Sequence, residues 1–285
     1  MSGILYLCAT PIGNLGDISG RCLEILNTVD LIAAEDTRRT LQLLNHFGIS
    51  RPLTSYHEHN KHEKGEYIIR LLLEGKNIAQ VSDAGTPAIS DPGEDLVRLC
   101  IENGITVTSV PGPVAAINAL ILSGLPAARY AFEGFLSVNK RHRSERLESV
   151  KDDPRTLIFY EAPHKLRNTL SDMLKHFGAE RRIAIARELT KLHEEVLRLT
   201  LGEAVKYYED TNPRGEYVLV VEGAPESSGD SGEAWWAGMT VREHVESYIK
   251  DDSKDAVKEA IKKAASDRGV PRREIYSEYH NGGKE

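Results

Sequence analysis

Short apolar runs alternate with longer amphipathic ones along the first 123 residues. Ile4–Cys8, Leu31–Ala34, Pro52–Ser55, Asn77–Val81 and Ile105–Thr108 are short runs rich in apolar and β-branched residues, which predicts strands. Between them, Arg21–Asn27, Thr37–His46, Lys61–Leu73, Gly93–Asn103 and Val114–Ser123 carry helical spacing. Asp36 or Thr37 can cap the second helix, and Gly48 and Gly75 follow helix ends. This βαβα rhythm predicts a parallel sheet covered by helices on both faces.

A break at Leu122–Pro126 opens a second block. Its predicted strands are Ala131–Phe135, Thr156–Tyr160, Ile183–Ala186, Glu195–Thr200 and Glu216–Glu222. Its predicted helices are Lys140–Val150, His164–Phe177 and Leu201–Tyr208. The late strands follow one another closely, so this sheet is expected to be mixed or antiparallel. Pro225–Glu233 reads as a polar linker. Beyond it, Asp255–Ala265 has helical spacing, Asp267–Pro271 reads as a turn, and Arg272–Tyr276 opens another helix. This tail fits either a helix-turn-helix or a plain helical hairpin packed on the core. The expected domains are therefore 1–123, 124–225 and a linker with helical tail at 226–285.

Three of the predicted strands run into loops of small residues. QVSDAGTPAISDPG spans Gln80–Gly93, CATPIGNLGD spans Cys8–Asp17, and SVPGPVAA spans Ser109–Ala116. Small side chains let backbone N–H and C=O groups approach a ligand, and proline stiffens the loop. Ligands of open α/β sheets bind outside the carboxyl ends of strands. The three loops together therefore predict one small-molecule site. The sequence contains no GxxxxGK[ST], and Gly13–Gly16 is not GxGxxG, so P-loop and dinucleotide readings are weak.

The segments ATPIGNLGDI, AAEDTRRT, VSDAGTPAISDPG, VPGP and FYEAPHK resemble the bacterial ribosomal RNA small-subunit methyltransferase I family, within the tetrapyrrole-methylase superfamily of S-adenosylmethionine enzymes. The resemblance runs from about Ile4 to Gly223. It implies two α/β domains with S-adenosylmethionine in the cleft between them, a homodimer, and 2′-O-methylation of a cytidine in small-subunit (16S) rRNA near the decoding site. By motif it implies cofactor contacts at Pro11, Asp83, Gly85, Ala88, Ile89, Val114, Ala115, Tyr160, Glu161, Ala186, Gly215 and Glu216. The superfamily's second loop usually reads GGDP, whereas this chain has SDAGTP, a departure that speaks against a porphyrinoid substrate.

A sulfonium methyl is already activated, so such an enzyme needs positioning above all, with a base to take the acceptor's proton. Asp36, at the end of the second strand, is the first base candidate, with Arg38 as a phosphate contact. The plainer reading makes Asp36 a helix cap paired with Arg38. Glu161 and His164 in YEAPH are rival bases. His57, His59 and His62 form either a solvated loop or the RNA side of the cleft.

At 285 residues the chain has room for about two domains, and its 40% hydrophobic and 28% charged content is ordinary for a globular protein. Cys8, Cys22 and Cys100 form no CxxC pair, which predicts neither disulfide framework nor zinc site and points to a reducing cytoplasm. No apolar run reaches the roughly 18 residues of a membrane span, and the start of the chain runs directly into a strand rather than a signal peptide. No metal is expected. The net charge of −7 disfavours a general nucleic-acid binder, so RNA contact has to come from patches. The candidates are Lys140, Arg141, Arg143 and Arg146, in the densest basic run, and Arg272 and Arg273 in the tail. The alternatives to an rRNA methylase are a small-molecule tetrapyrrole-type methylase, a nucleotide-binding regulator, and a non-catalytic RNA-binding protein.

Overall fold

The computed structural model describes residues 2–225, 235–249 and 254–281. Packing divides the chain into two compact units, Met1–Ala224 and Pro225–Glu285.

The first unit begins with a five-stranded sheet of order β3-β2-β4-β1-β5, built from β1 (Ile4–Cys8), β2 (Leu31–Ala34), β3 (Leu53–Ser55), β4 (Ile78–Val81) and β5 (Thr106–Val110). Every pairing in it is parallel. Alternate residues of each strand point to opposite faces. Leu31, Ala33 and Ile78 accordingly pack with Ile68 and Leu72 of α3 (Lys61–Leu73) and Leu96 of α4 (Gly93–Glu102). Ile32, Ala34 and Ala79 pack with Leu26 of α1 (Gly20–Thr28) and Leu44 of α2 (Thr37–His46). Both faces are buried, which is why these strands read as continuous apolar runs.

The second sheet has order β6-β7-β10-β8-β9, from β6 (Tyr130–Phe135), β7 (Thr156–Glu161), β8 (Arg182–Arg187), β9 (Glu195–Thr200) and β10 (Tyr217–Val221). Only β6 and β7 pair in parallel; the other pairings are antiparallel, so the sheet is mixed. Leu157, Phe159, Ile185 and Leu219 face a core completed by α6 (Lys140–Val150), α7 (Leu166–Phe177) and α8 (Leu201–Asp210). Phe159 is fully buried there, and burying one such side chain is worth about 1.5–3 kcal/mol. The opposite face, with Ile158, Ala184, Ala186, Val218 and Val220, is covered by α5 (Ala115–Ser123) through Ala116, Ala119 and Leu120. Helix α5 therefore belongs by packing to the second sheet. The change of sheet falls in the proline loop at 111–114, ahead of the expected boundary at 123.

The second unit is more than a hairpin. Helices α9 (Val241–Glu246), α10 (Lys254–Arg268) and α11 (Arg272–Asn281) share a core of Val241, Val245, Ala260, Ile261, Ala264, Ala265 and Ile275. Thr240 caps α9 through a capping box with Glu243. Among the described residues, no helix is long and apolar enough to cross a membrane.

Candidate functional site

The chain leaves β1 for α1 on one face of the first sheet and leaves β4 for α4 on the other. Since β1 and β4 are neighbours, their loops diverge and open a crevice at the carboxyl edge, the usual ligand position in such sheets. The loops are joined across its floor. Thr10 donates its N–H to the Gly85 carbonyl at 2.9 Å, and Gly85 donates back to the Thr10 carbonyl at 3.0 Å. Thr86 Oγ1 donates to the Pro113 carbonyl at 3.1 Å, tying in the third loop.

These bonds change the reason for glycine at 85. Its φ is +80°, and an added Cβ would meet Ile12 Cγ2 at 3.1 Å. Both of its backbone polar groups are engaged by Thr10, so glycine here serves the loop's own geometry rather than an open approach to ligand. Farther along, Ala88 and Ser90 hold φ values of 67° and 64°. Such backbone costs on the order of 1–3 kcal/mol per residue and concentrates at functional sites. Asp91 supports the turn by accepting the N–H groups of Ala88 (3.1 Å) and Gly93 (2.8 Å). Ile89, at its tip, is exposed.

The second sheet brings its own strained loop to the first. Glu188 and Thr190 are left-handed, with φ of 51° and 66°. Thr190 Oγ1 accepts the Asn14 N–H at 3.1 Å, and Glu188 Oε1 accepts the Glu216 N–H at 3.0 Å. Gly215 has φ +82°, and a Cβ there would sit 2.5 Å from Glu188 Cδ. Lys191 bridges Glu188 (2.8 Å) and Glu216 (2.9 Å). Tyr160 accepts the Ala116 N–H on its hydroxyl at 3.2 Å. The start of α5 at Val114 has no side-chain cap, so Ala115 presents its amide without one. Ala186 is buried in β8.

The expected base Asp36 is engaged by its own helix. Its Oδ1 accepts the Arg38 N–H at 2.8 Å, and Arg38 Nη2 reaches Oδ2 at 2.9 Å. Hydrogen bonds from the Arg38 side chain and backbone hold the Asp36 carboxyl down at about 2, which makes it a poor proton acceptor. Glu161 is buried; its oxygens accept the Ala162 N–H and the Thr169 hydroxyl, so it anchors the chain entering α7. Asp36 therefore caps α2 with its carboxylate already engaged, and Glu161 braces the turn after β7. The basic run divides as well. Arg143 binds Asp172 through Nε and Nη2 at 2.9 and 2.8 Å, and donates through Nη1 to the carbonyls of Ser137 and Val138. Arg146 pairs with the buried Glu133 carboxylate at 2.6 Å. Lys140 and Arg141 remain exposed, the latter paired with Glu145. Arg272 and Arg273 are exposed at the start of α11.

Two groups escaped the sequence reading. Glu35 is half-buried, and burial, then the Asp83 carboxylate, push its carboxyl up. Arg39 pairs with Asp83 at 3.2 Å. Asp83 also accepts the Asp36 N–H on Oδ1 at 2.9 Å. Beside this pair opens a cavity of about 370 Å3, walled by the first loop, the head of the β4 loop and α2. The spacing of Arg39, Gln42 and His46 was a visible signal for a shared helix face, but their relation to Asp83 depends on the sheet order. Among the described residues, no group of three or more His, Cys, Asp or Glu side chains could hold a metal ion.

Residues 5–205 match the family described as Tetrapyrrole (Corrin/Porphyrin) Methylases. The chain is 52% identical over 278 residues to a protein of Halalkalibacterium halodurans named ribosomal RNA small subunit methyltransferase I, covering 98% of this chain and 95% of that one. A Bacillus subtilis protein of the same name is 50% identical over 278 residues, covering 98% and 94%. A solved structure of uroporphyrin-III C-methyl transferase from Thermus thermophilus, complexed with S-adenyl homocysteine, superposes with a TM-score of 0.54 at 16% identity over 77% of this chain and 97% of that one. Two sheets of this order, three loops knitted at their junction and a family match through both sheets agree: the chain belongs to the tetrapyrrole (corrin/porphyrin) methylase family.

Proposed function

We propose that the chain transfers a methyl group from S-adenosylmethionine to small-subunit ribosomal RNA, at the ribose 2′-hydroxyl of a cytidine near the decoding site. The observation that carries this reading is the likeness at about half identity, over almost the whole of both chains, to proteins named ribosomal RNA small subunit methyltransferase I.

The donor set suits S-adenosylmethionine. Ala88, Ala115 and Gly215 put little side-chain bulk between the backbone and a ligand, the Ala115 amide has no side-chain cap, and Ile89 is apolar and exposed. Pro11, Gly85, Ala88, Ile89, Val114, Ala115, Tyr160, Glu161, Ala186, Gly215 and Glu216 are the proposed cofactor residues, with Gly85, Glu161 and Ala186 shaping the site from behind; Asp83, which the resemblance sets among them, lines the cavity beside α2 and is left to the acceptor side. The RNA-facing charges are Lys140, Arg141, Arg272 and Arg273, exposed on their helices. The proposed assembly is a homodimer working in the cytoplasm on the ribosomal subunit. Its support is the outward row Ile117, Ile121 and Leu122 on α5, which the second sheet leaves uncovered.

The test offers labelled S-adenosylmethionine with unmodified small subunits, large subunits and uroporphyrinogen in parallel. Label confined to small-subunit RNA supports the reading, and label in the tetrapyrrole overturns it.

A further inference from the structure

The cavity beside Asp83 is lined mostly by residues outside the proposed cofactor set. Its volume of about 370 Å3 lies near the small end of the roughly 300–1,000 Å3 range of ligand sites, which suits one nucleotide better than a macrocycle. It shares Pro11 with the proposed cofactor contacts, so it adjoins the place where a methyl group is offered. The rest of its wall is different in kind. Arg39, Gln42 and His46 line it from α2, and none belongs to the cofactor set.

Asp83 is the sole carboxylate among the lining residues. Its Oδ1 is held by the Asp36 N–H at 2.9 Å and its Oδ2 by Arg39 Nη1 at 3.2 Å. Two donors on one carboxylate fix its orientation. Arg39 is 65% exposed despite that pairing, so its guanidinium has open faces for a second anion.

We infer that this cavity receives the acceptor nucleotide, with Asp83 taking the hydroxyl proton and Arg39, helped by Gln42 and His46, holding the adjoining phosphate. The inference rests on the RNA-methylase reading and names the residues that would serve it. In the step, the acceptor O–H bond breaks and its proton goes to an Asp83 oxygen. The freed electron pair forms the O–CH3 bond, and the methyl–sulfur bond breaks with its electrons left on sulfur. Asp36, at the other end of the Asp83 contact, is a positioning residue through its backbone N–H.

The experiment compares the full chain with Asp83→Asn and Arg39→Gln. Arg39→Gln alters an exposed side chain and leaves the core intact. Three quantities are measured: S-adenosylhomocysteine affinity by calorimetry, small-subunit rRNA affinity across a salt series without cofactor, and single-turnover methylation. Arg39→Gln is expected to lower the salt slope by about one while cofactor affinity stays within twofold. Asp83→Asn is expected to lower the methylation rate by about 10²–10⁴ with RNA affinity kept. An unchanged slope in Arg39→Gln, or a rate within tenfold of the parent in a folded Asp83→Asn, overturns the inference. Lost S-adenosylhomocysteine affinity in Asp83→Asn also overturns it and returns Asp83 to the cofactor. A parent chain that methylates no small-subunit RNA is a separate failure, of the underlying reading.

Discussion

Arg143 was expected to grip RNA, and its surroundings predict instead that it holds the second sheet's helices together. Its side chain and that of Asp172 are 13% and 12% exposed. Replacing Arg143 by Ala removes two charged hydrogen bonds to Asp172 and the donors to the Ser137 and Val138 carbonyls. Breaking one side of a buried pair costs about 3–5 kcal/mol. Asp172 keeps Lys175 at 3.1 Å, so the lower end applies, about 3 kcal/mol. For a unit of this size that lowers the melting temperature by roughly 6–12 °C. The loss has a pH signature. Burial alone would raise the Asp172 carboxyl, but the hydrogen bonds from Arg143 and then Lys175 win and hold it low. A depressed carboxylate stabilises above its unfolded value of about 3.9, and that stability disappears as pH falls through the folded value. Parent and variant should thus differ most above about pH 4 and converge in acid. Urea unfolding at pH 7 and pH 3 measures both ends, beside RNA binding in a salt series. A variant of parental stability with a reduced salt slope would refute this assignment.

Lys140→Ala with Arg141→Ala should leave the melting temperature within a degree or two and lower the RNA salt slope by up to about two; an unchanged slope removes this helix from the RNA face. Gly215→Ala places a side chain at φ +82° and drives its Cβ into the Glu188 carboxylate. The backbone alone costs about 1–2 kcal/mol, and S-adenosylhomocysteine calorimetry should show weaker binding, with parental affinity contradicting the role of this loop. Asp36→Asn keeps the cap and the backbone donor to Asp83, so single-turnover methylation should stay within about tenfold, whereas a fall of 10² or more would restore Asp36 as base. His244 is fully buried, and burial, then the Arg268 charge, push its imidazole below its ordinary value. A lowered folded value means that stability present above about pH 6.5 drains away as pH falls toward it, by up to about 1.4 kcal/mol per pH unit. Trp235 and Trp236 both contact the His244 ring and are the chain's two tryptophans, so their fluorescence melt should fall between pH 7 and 5 in the parent and change less in His244→Gln.

The first sheet was legible because its central strands β2 and β4 are buried on both faces and read as mostly apolar runs; Leu31–Ala34, Thr37–His46 and Lys61–Leu73 match to the residue. Helix α5 was found, but its allegiance was not, because AAINALILS is apolar at seven of nine positions and carries no mark of which sheet it covers. The basic run misled for a related reason. The run does not show which of its charges are already paired, since the partners of Arg143 and Arg146, Asp172 and Glu133, lie 29 and 13 residues away. The plainer reading of Asp36 was legible, since a cap residue with arginine two positions later carries its own neutraliser. Helix α9 also left a signal, the Thr240–Glu243 capping box, which was passed over beyond the linker. The Arg39–Asp83 pair was out of reach, because it needs β2 and β4 to be neighbours.

The central claim is methyl transfer to a cytidine 2′-oxygen in small-subunit RNA. Unmodified small subunits treated with the protein and S-adenosylmethionine can be digested in alkali and mapped by mass. The account predicts one added methyl at one cytidine and an alkali-resistant linkage on its 3′ side, since the 2′-oxygen can no longer attack. A methyl on a base with the linkage still cleaved, or no methyl in RNA from a protein that binds S-adenosylhomocysteine, would contradict it.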